Sequence, residues 1–148
     1  MEIIVLGSKN LKIRGLLNRN NNDIDIRVDY KYDITKLIKL LKCYKIKIHI
    51  QQSFISKDSY DIVNYNNKTY KLDKLYNVLY YKYRYTKSII KKNATKHKTD
   101  LINIFHNLGK EKSLKEINKI KQNTHLIKED IDELIRLMEI GINNAEEI

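Results

Sequence analysis

Residues 5–28 read VLGSKNLKIRGLLNRNNNDIDIRV, and the order of patterns in this stretch decides the fold. Residues 2–6 lead into it as a short, almost wholly apolar run halted by Gly7, the pattern of a buried strand. Gly7-Ser8 turns the chain into residues 9–17, where Leu11, Ile13, Leu16 and Leu17 form one face of a short helix. Asn18 to Asn22 is a polar loop. Residues 23–29, DIDIRVD, then alternate at period two, so Ile24, Ile26 and Val28 face one way and Asp23, Asp25, Arg27 and Asp29 the other. The two leading carboxylates therefore leave the same side of one strand.

The same reading carries outward. Residues 35–43 continue an apolar spacing of Ile34, Leu37, Ile38 and Leu41 that makes an amphipathic helix, with Cys43 a small core thiol at its end. Residues 45–50 alternate again, as a second strand with Ile46, Ile48 and Ile50 inward. Residues 61–65 and 68–72 flank Asn66-Asn67, a hairpin turn because Asn tolerates positive φ. Asp73 is an N-cap for a helix through Leu75, Val78, Leu79 and Lys82 to Ile90. A second helix spans residues 98–108 and ends at Gly109. Ser113 begins a third, with Glu116 completing a capping box. The last spans residues 128–140, with Ile131, Leu134, Ile135 and Met138 on one stripe and Gly141 as its stop. The expected fold class is α+β: a small mixed sheet flanked by helices over residues 1–108, then a helical extension over residues 109–148 packed on the same domain. Dimerisation is the other outlet for the apolar stripe of that extension, Leu126 included.

The chain has 148 residues, of which 42% are hydrophobic, enough for one core. Charged residues interrupt every apolar run before the roughly 18 to 20 residues that a membrane span needs. The opening Met-Glu-Ile-Ile-Val-Leu lacks a basic leader and a cleavable apolar segment, so the expectation is a cytoplasmic protein with no membrane partner. A single cysteine excludes an internal disulfide. The formal charge of +11 points to a polyanionic partner, although Lys, Asn, Ile and Tyr are also the residues that AT-rich codons favour.

Two Asp side chains at i and i+2 on one strand can ligate the same Mg²⁺, whose remaining ligands come from water and substrate phosphates. A Gly-Ser turn beside them offers a backbone that a triphosphate can approach and a hydroxyl that can donate to a phosphate oxygen. Taken singly, an Asp-x-Asp is a solvated strand face and a Gly-Ser is a turn. Their occurrence together, in the order strand, Gly7-Ser8, short helix, Gly15, Arg19, Asp23-Ile24-Asp25, resembles the DNA polymerase β-like nucleotidyltransferase superfamily. Within it the likeness is to the branch of AbiE-type toxins and related tRNA-modifying nucleotidyltransferases. It extends weakly through Leu79-Tyr80-Tyr81-Lys82 and through Lys96-His97-Lys98-Thr99-Asp100.

That resemblance implies a Mg²⁺-dependent enzyme transferring a nucleoside monophosphate from an NTP to an acceptor hydroxyl, most of all on RNA such as a tRNA. Asp23 and Asp25 would be the metal ligands. Gly7, Ser8, Arg19 and Lys82 would bind the nucleotide, with Asp100 near the site. Superfamily enzymes commonly take a third carboxylate from the next strand, where this chain has His49, and neutral imidazole favours softer metals than Mg²⁺. Either Asp100 supplies the missing carboxylate or His49 accepts the proton of the attacking hydroxyl. The alternative is a nucleotidyltransferase fold without catalysis that binds nucleic acid or protein. The segment from Lys82 to Lys98, rich in Lys and Tyr, suits RNA through phosphate contacts and base stacking on some of Tyr80, Tyr81, Tyr83 and Tyr85. A third reading is a basic helical adaptor in which Asp-Ile-Asp is coincidental.

Overall fold

The computed structural model describes residues 2–19, 23–42 and 47–146; the expectations for Asn20 to Asn22, Cys43, Lys45 and Ile46 lie outside them. The fold is α+β, with five strands in one mixed sheet and six helices among the described residues. The chain divides into two compact units, Met1–Lys74 and Leu75–Ile148. All the strands belong to the first, and the last four helices belong to the second. No described helix is long and apolar enough to cross a membrane.

The first unit runs β1 (Ile3–Val5), α1 (Gly7–Ile13), β2 (Asp23–Asp29), α2 (Ile34–Leu41), β3 (Lys47–Ser53), β4 (Tyr60–Tyr65) and β5 (Lys68–Asp73). The strand order is β3-β2-β1-β5-β4. Central β1 pairs antiparallel with β2 and parallel with β5. Strands β2 and β3 are parallel, so a crossover must join them, and the amphipathic α2 lies in that connection. The hairpin of β4 and β5 turns through Asn66 at φ 49° and Asn67 at φ 64°, the paired left-handed conformation of a two-residue turn whose twist matches the flanking strands. The period-two reading of β2 holds: Ile26 and Val28 are buried while Asp23 is exposed. Register sets Val5 beside both Ile26 and Leu72. Val5 and Leu72 form a core with Ile13 of α1, against which Val63, Tyr65 and Tyr70 pack. Helix α1 stops at Ile13, short of the expected residue 17. Leu16 and Leu17 are buried all the same.

The second unit comprises α3 (Leu75–Tyr85), α4 (Lys91–Leu108), α5 (Lys110–Asn123) and α6 (Lys128–Glu146). Each helix supplies buried residues at helical spacing: Val78, Leu79 and Tyr83; Leu101, Ile104 and Phe105; Ile117 and Ile120; Ile131, Leu134, Leu137 and Met138. Four boundaries differ from the sequence expectation. Helix α3 ends at Tyr85 rather than Ile90, because the amides of Thr86, Lys87 and Ser88 turn to the carbonyls three residues back, the tight closure common at helix ends. Helix α4 starts at Lys91 rather than residue 98; its first turns carry strong helix formers such as Lys and Ala but no apolar stripe to reveal them. Helix α5 starts at Lys110, and Ser113 lies inside it, buried, with its amide donating to Gly109 O at 3.0 Å and its hydroxyl to Phe105 O at 3.4 Å. Gly141 does not end α6, which continues to Glu146.

Gly141 has a packing role instead. A Cβ at this position would lie 2.5 Å from the backbone oxygen of Ile102 and 3.0 Å from the amide nitrogen of His106, both in α4. The two helices therefore cross with backbones too close for any side chain. The ring Nδ1 of His106 also lies 3.2 Å from the Gly141 carbonyl oxygen.

Candidate active site at one end of the sheet

Strand β1 ends at Val5, and the antiparallel ladder closes one step later, where the Leu6 amide donates to the Asp25 carbonyl at 2.9 Å. Gly7 then takes φ +59° and opens α1. A Cβ on Gly7 would stand 2.6 Å from Asp25 Oδ2 and 3.5 Å from its Cγ. Glycine is thus required twice, for the left-handed turn and for the space that the Asp25 carboxylate occupies. The Gly-Ser turn and the second Asp of Asp-Ile-Asp, distant in sequence, lie against each other.

The neighbouring candidates fall around this point. Arg19 Nη2 donates to the Ser8 hydroxyl oxygen at 3.4 Å. Asp23 lies two residues before Asp25 on β2, hence on the same side of the pleat. Register sets Lys47 opposite Asp23 and His49 opposite Asp25 on β3. His49 Nε2 is 3.9 Å from Asp23 Oδ2, and both side chains are about half exposed. Gly7, Ser8, Arg19, Asp23, Asp25 and His49 therefore sit in one neighbourhood of the first unit. The position across from Asp25, where the resemblance leads one to look for a third carboxylate, holds this histidine.

The donor set suits a hard cation held partly by protein. Asp23 and Asp25 offer carboxylate oxygens from one strand side, and Mg²⁺ typically takes one or two such ligands and fills its octahedron with water and phosphate oxygens. Among the described residues no group of three or more His, Cys, Asp or Glu side chains is placed to hold a metal by itself.

A buried polar brace fixes the helix that carries Ser8. Asn10 is wholly buried. Its Nδ2 donates to Val5 O at 2.8 Å and to Asp73 O at 3.0 Å, tying the start of α1 to the ends of the parallel neighbours β1 and β5. Arg14, one turn on, donates from Nε to Asn10 Oδ1 at 2.9 Å and from Nη2 to Asp73 O at 2.9 Å and Asp61 Oδ2 at 2.8 Å. Lys74 Nζ reaches the other Asp61 oxygen at 2.7 Å. Burial pushes the Asp61 carboxyl up, but the hydrogen bonds from Lys74 and Arg14 outweigh it and hold the group below its ordinary 3.8. Asp73, expected as a helix cap, closes β5 and lies 3.4 Å from Arg27. Reading the sequence for chemistry missed Asn10, Arg14 and Asp61; their one signal was the one-turn spacing of Asn10 and Arg14 on a helix otherwise read for its leucines.

Lys82 and Asp100 belong to the second unit, where they are brought to each other. Lys82 Nζ lies 2.8 Å from Asp100 Oδ2, with 5% and 4% of the side chains exposed. Nearby in the same unit, Tyr83 donates its hydroxyl toward Asp130 Oδ1 at 2.7 Å and Glu133 Oε2 at 2.9 Å. Burial, then these two carboxylates, push the Tyr83 phenol far above its usual range. Of the four tyrosines considered for stacking, Tyr83 is buried, Tyr80 and Tyr81 are half-buried and Tyr85 is exposed.

Comparison with known proteins found no matching family model, no matching curated protein and no matching solved structure.

Proposed function

We propose that the first unit is a nucleotidyltransferase site that transfers a nucleoside monophosphate from an NTP to an acceptor hydroxyl, RNA being the acceptor class that the basic surface favours. The observation that carries this reading is the seating of the Asp25 carboxylate on the Gly7-Ser8 turn, with Asp23 on the same strand side and Arg19 bonded to Ser8. Asp23 and Asp25 would hold Mg²⁺, which when bound neutralises phosphate charge and stabilises the leaving group. The Ser8 hydroxyl and the Arg19 guanidinium donate to phosphate oxygens and orient the chain of phosphates. The acceptor oxygen forms a bond to the α-phosphorus as the α–β phosphoanhydride bond breaks, and pyrophosphate leaves. His49, which the register sets opposite Asp25, would take the proton lost by the acceptor. The ion pair of Lys82 with Asp100 gives those two residues a structural task, so this reading assigns neither of them to the phosphates.

The test is incubation of the full chain with Mg²⁺, each labelled NTP and total RNA beside Asp25→Ala. Label transfer that the substitution abolishes supports the proposal. NTP binding without transfer supports the second reading, a nucleotidyltransferase-like module without catalysis, which the histidine at the third-strand position favours. Absence of NTP binding removes both.

A further inference from the structure

The second unit carries a charge pattern that phosphate transfer in the first leaves unexplained. From Leu75 to Thr99 the chain has seven Lys or Arg and no Asp or Glu. Two of the seven are ion-paired, Lys82 with Asp100 and Lys87 with Glu133, and the Arg84 guanidinium lies 5.7 Å from the centre of the Tyr80 ring. Arg84, Lys91, Lys92, Lys96 and Lys98 are all exposed. Lys92 and Lys96 stand one turn apart on α4, a like-charge spacing that weakens a helix. The first turn of α4 holds no acid, although acids are what favour that end of a helix. These lysines therefore cost the folded chain stability, and a polyanion lying across them would offset that cost.

Phosphates alone do not explain the apolar part of the same surface. Between α3 and α4, Ile89 is fully exposed and Ile90 is 61% exposed, and Tyr85 at the end of α3 is 55% exposed. The Tyr85 ring lies 5.2 Å from the His97 ring at an interplanar angle of 35°. Tyr85 is braced at one place by His97 and the residue is more than half exposed, which suits its ring as a platform for an unpaired base. A duplex offers the lysines its phosphates but keeps its base faces stacked inside, so the combination fits a single strand better.

We infer that the α3–α4 junction is a docking surface for single-stranded nucleic acid, with the five cations tracking phosphates and Tyr85, flanked by Ile89 and Ile90, receiving bases. This deepens the proposed function by naming where an acceptor strand is held. It rests on that reading only in calling the strand an acceptor. The surface lies wholly within the second unit.

Fluorescence anisotropy of the full chain with a labelled single-stranded oligonucleotide, in the absence of NTP and Mg²⁺, tests it. With about five phosphate contacts, the plot of log affinity against log salt should fall with a slope near −3.5, at about −0.7 per contact. Lys91→Glu with Lys92→Glu should make that slope shallower by about 1.4 and weaken binding at least tenfold at low salt. Tyr85→Ala should weaken binding roughly tenfold, with Tyr85→Phe close to the parent. Helical circular dichroism should be unchanged in each variant, since all three positions are exposed. Binding that these substitutions leave intact overturns the inference, as does equal affinity for a hairpin duplex. Capture of phosphatidylserine vesicles without oligonucleotide binding overturns it in favour of a lipid surface. Asp25→Ala should retain oligonucleotide binding, so loss of transfer with docking preserved, or the reverse, tells the two readings apart.

Discussion

Each unit of this chain has a glycine seated where a side chain would collide, and the two glycines make room for different things. Gly7 yields space to a carboxylate oxygen, 2.6 Å from where its Cβ would be; Gly141 yields space to a backbone oxygen, at 2.5 Å. The first accommodates a charged group at a half-exposed sheet end, and the second lets two helices meet. The buried polar groups divide in the same way. In the first unit Asn10 and Arg14 bond to strand-end carbonyls and hold a turn in place. In the second, Lys82 and Asp100 satisfy one another inside a helical unit. Polar groups in the first unit tie a helix and its opening turn to strand ends, whereas the pair in the second joins side chains of two helices.

The largest effect should come from breaking the buried pair. Lys82→Met leaves the Asp100 carboxylate buried without its cation, and such a change costs about 3–5 kcal/mol. Replacing both partners, as Lys82→Met with Asp100→Leu, should recover most of that loss, because well-packed apolar residues often match a buried ion pair. Urea unfolding followed by helical circular dichroism checks both. A single variant as stable as the parent would mean that the pair does not hold the second unit together, and would return Lys82 to consideration as a ligand-binding cation.

The two glycines should then separate stability from activity. Gly141→Ala pushes a methyl group into the Ile102 carbonyl and should cost about 1–3 kcal/mol as overpacking, only partly offset by the better helix propensity of Ala, about 1 kcal/mol. Gly7→Ala should cost about 1–2 kcal/mol for a left-handed alanine while moving the Asp25 carboxylate off the turn. The proposed nucleotidyl transfer should therefore fall more than tenfold for Gly7→Ala, and by far less for Gly141→Ala at temperatures where both are folded. Equal losses of activity would break the division between the units.

What the chain announces in advance follows the same division. The strand at Asp23–Asp29 was legible because period two is a local property, and the Asn66-Asn67 turn because two residues that tolerate positive φ suffice to make it. Gly141 was misread as a helix stop, since glycine looks alike in sequence whether it ends a helix or lets another one approach. The first turns of α4, before residue 98, were not legible because Lys and Ala form helix without an apolar stripe. Asn10 was invisible for a different reason: its partners are the carbonyls of Val5 and Asp73, and only the pairing of β1 with β5 brings those together. The carboxylates and the turn of the candidate site could be read from residues 5–28. The brace beneath them could not.

The smallest effect should come from the rim of that brace. Asp61 is about one-third exposed, so its pairs with Arg14 and Lys74 are screened and Asp61→Asn should cost less than about 1 kcal/mol at neutral pH. Its pH dependence is more telling than its size. The folded chain holds the Asp61 carboxyl below 3.8, so the unfolded chain binds the proton more readily as pH falls. The contribution is complete above the unfolded value and is lost as pH drops through the folded one. The stability difference between the parent and Asp61→Asn should thus be flat at neutral pH and shrink as the pH falls below the ordinary 3.8 of the carboxyl. A difference that grows on acidification would mean that Arg14 and Lys74 do not stabilise the ionised carboxylate, and would leave the Asp73 carbonyl as the strand-end partner that holds Arg14.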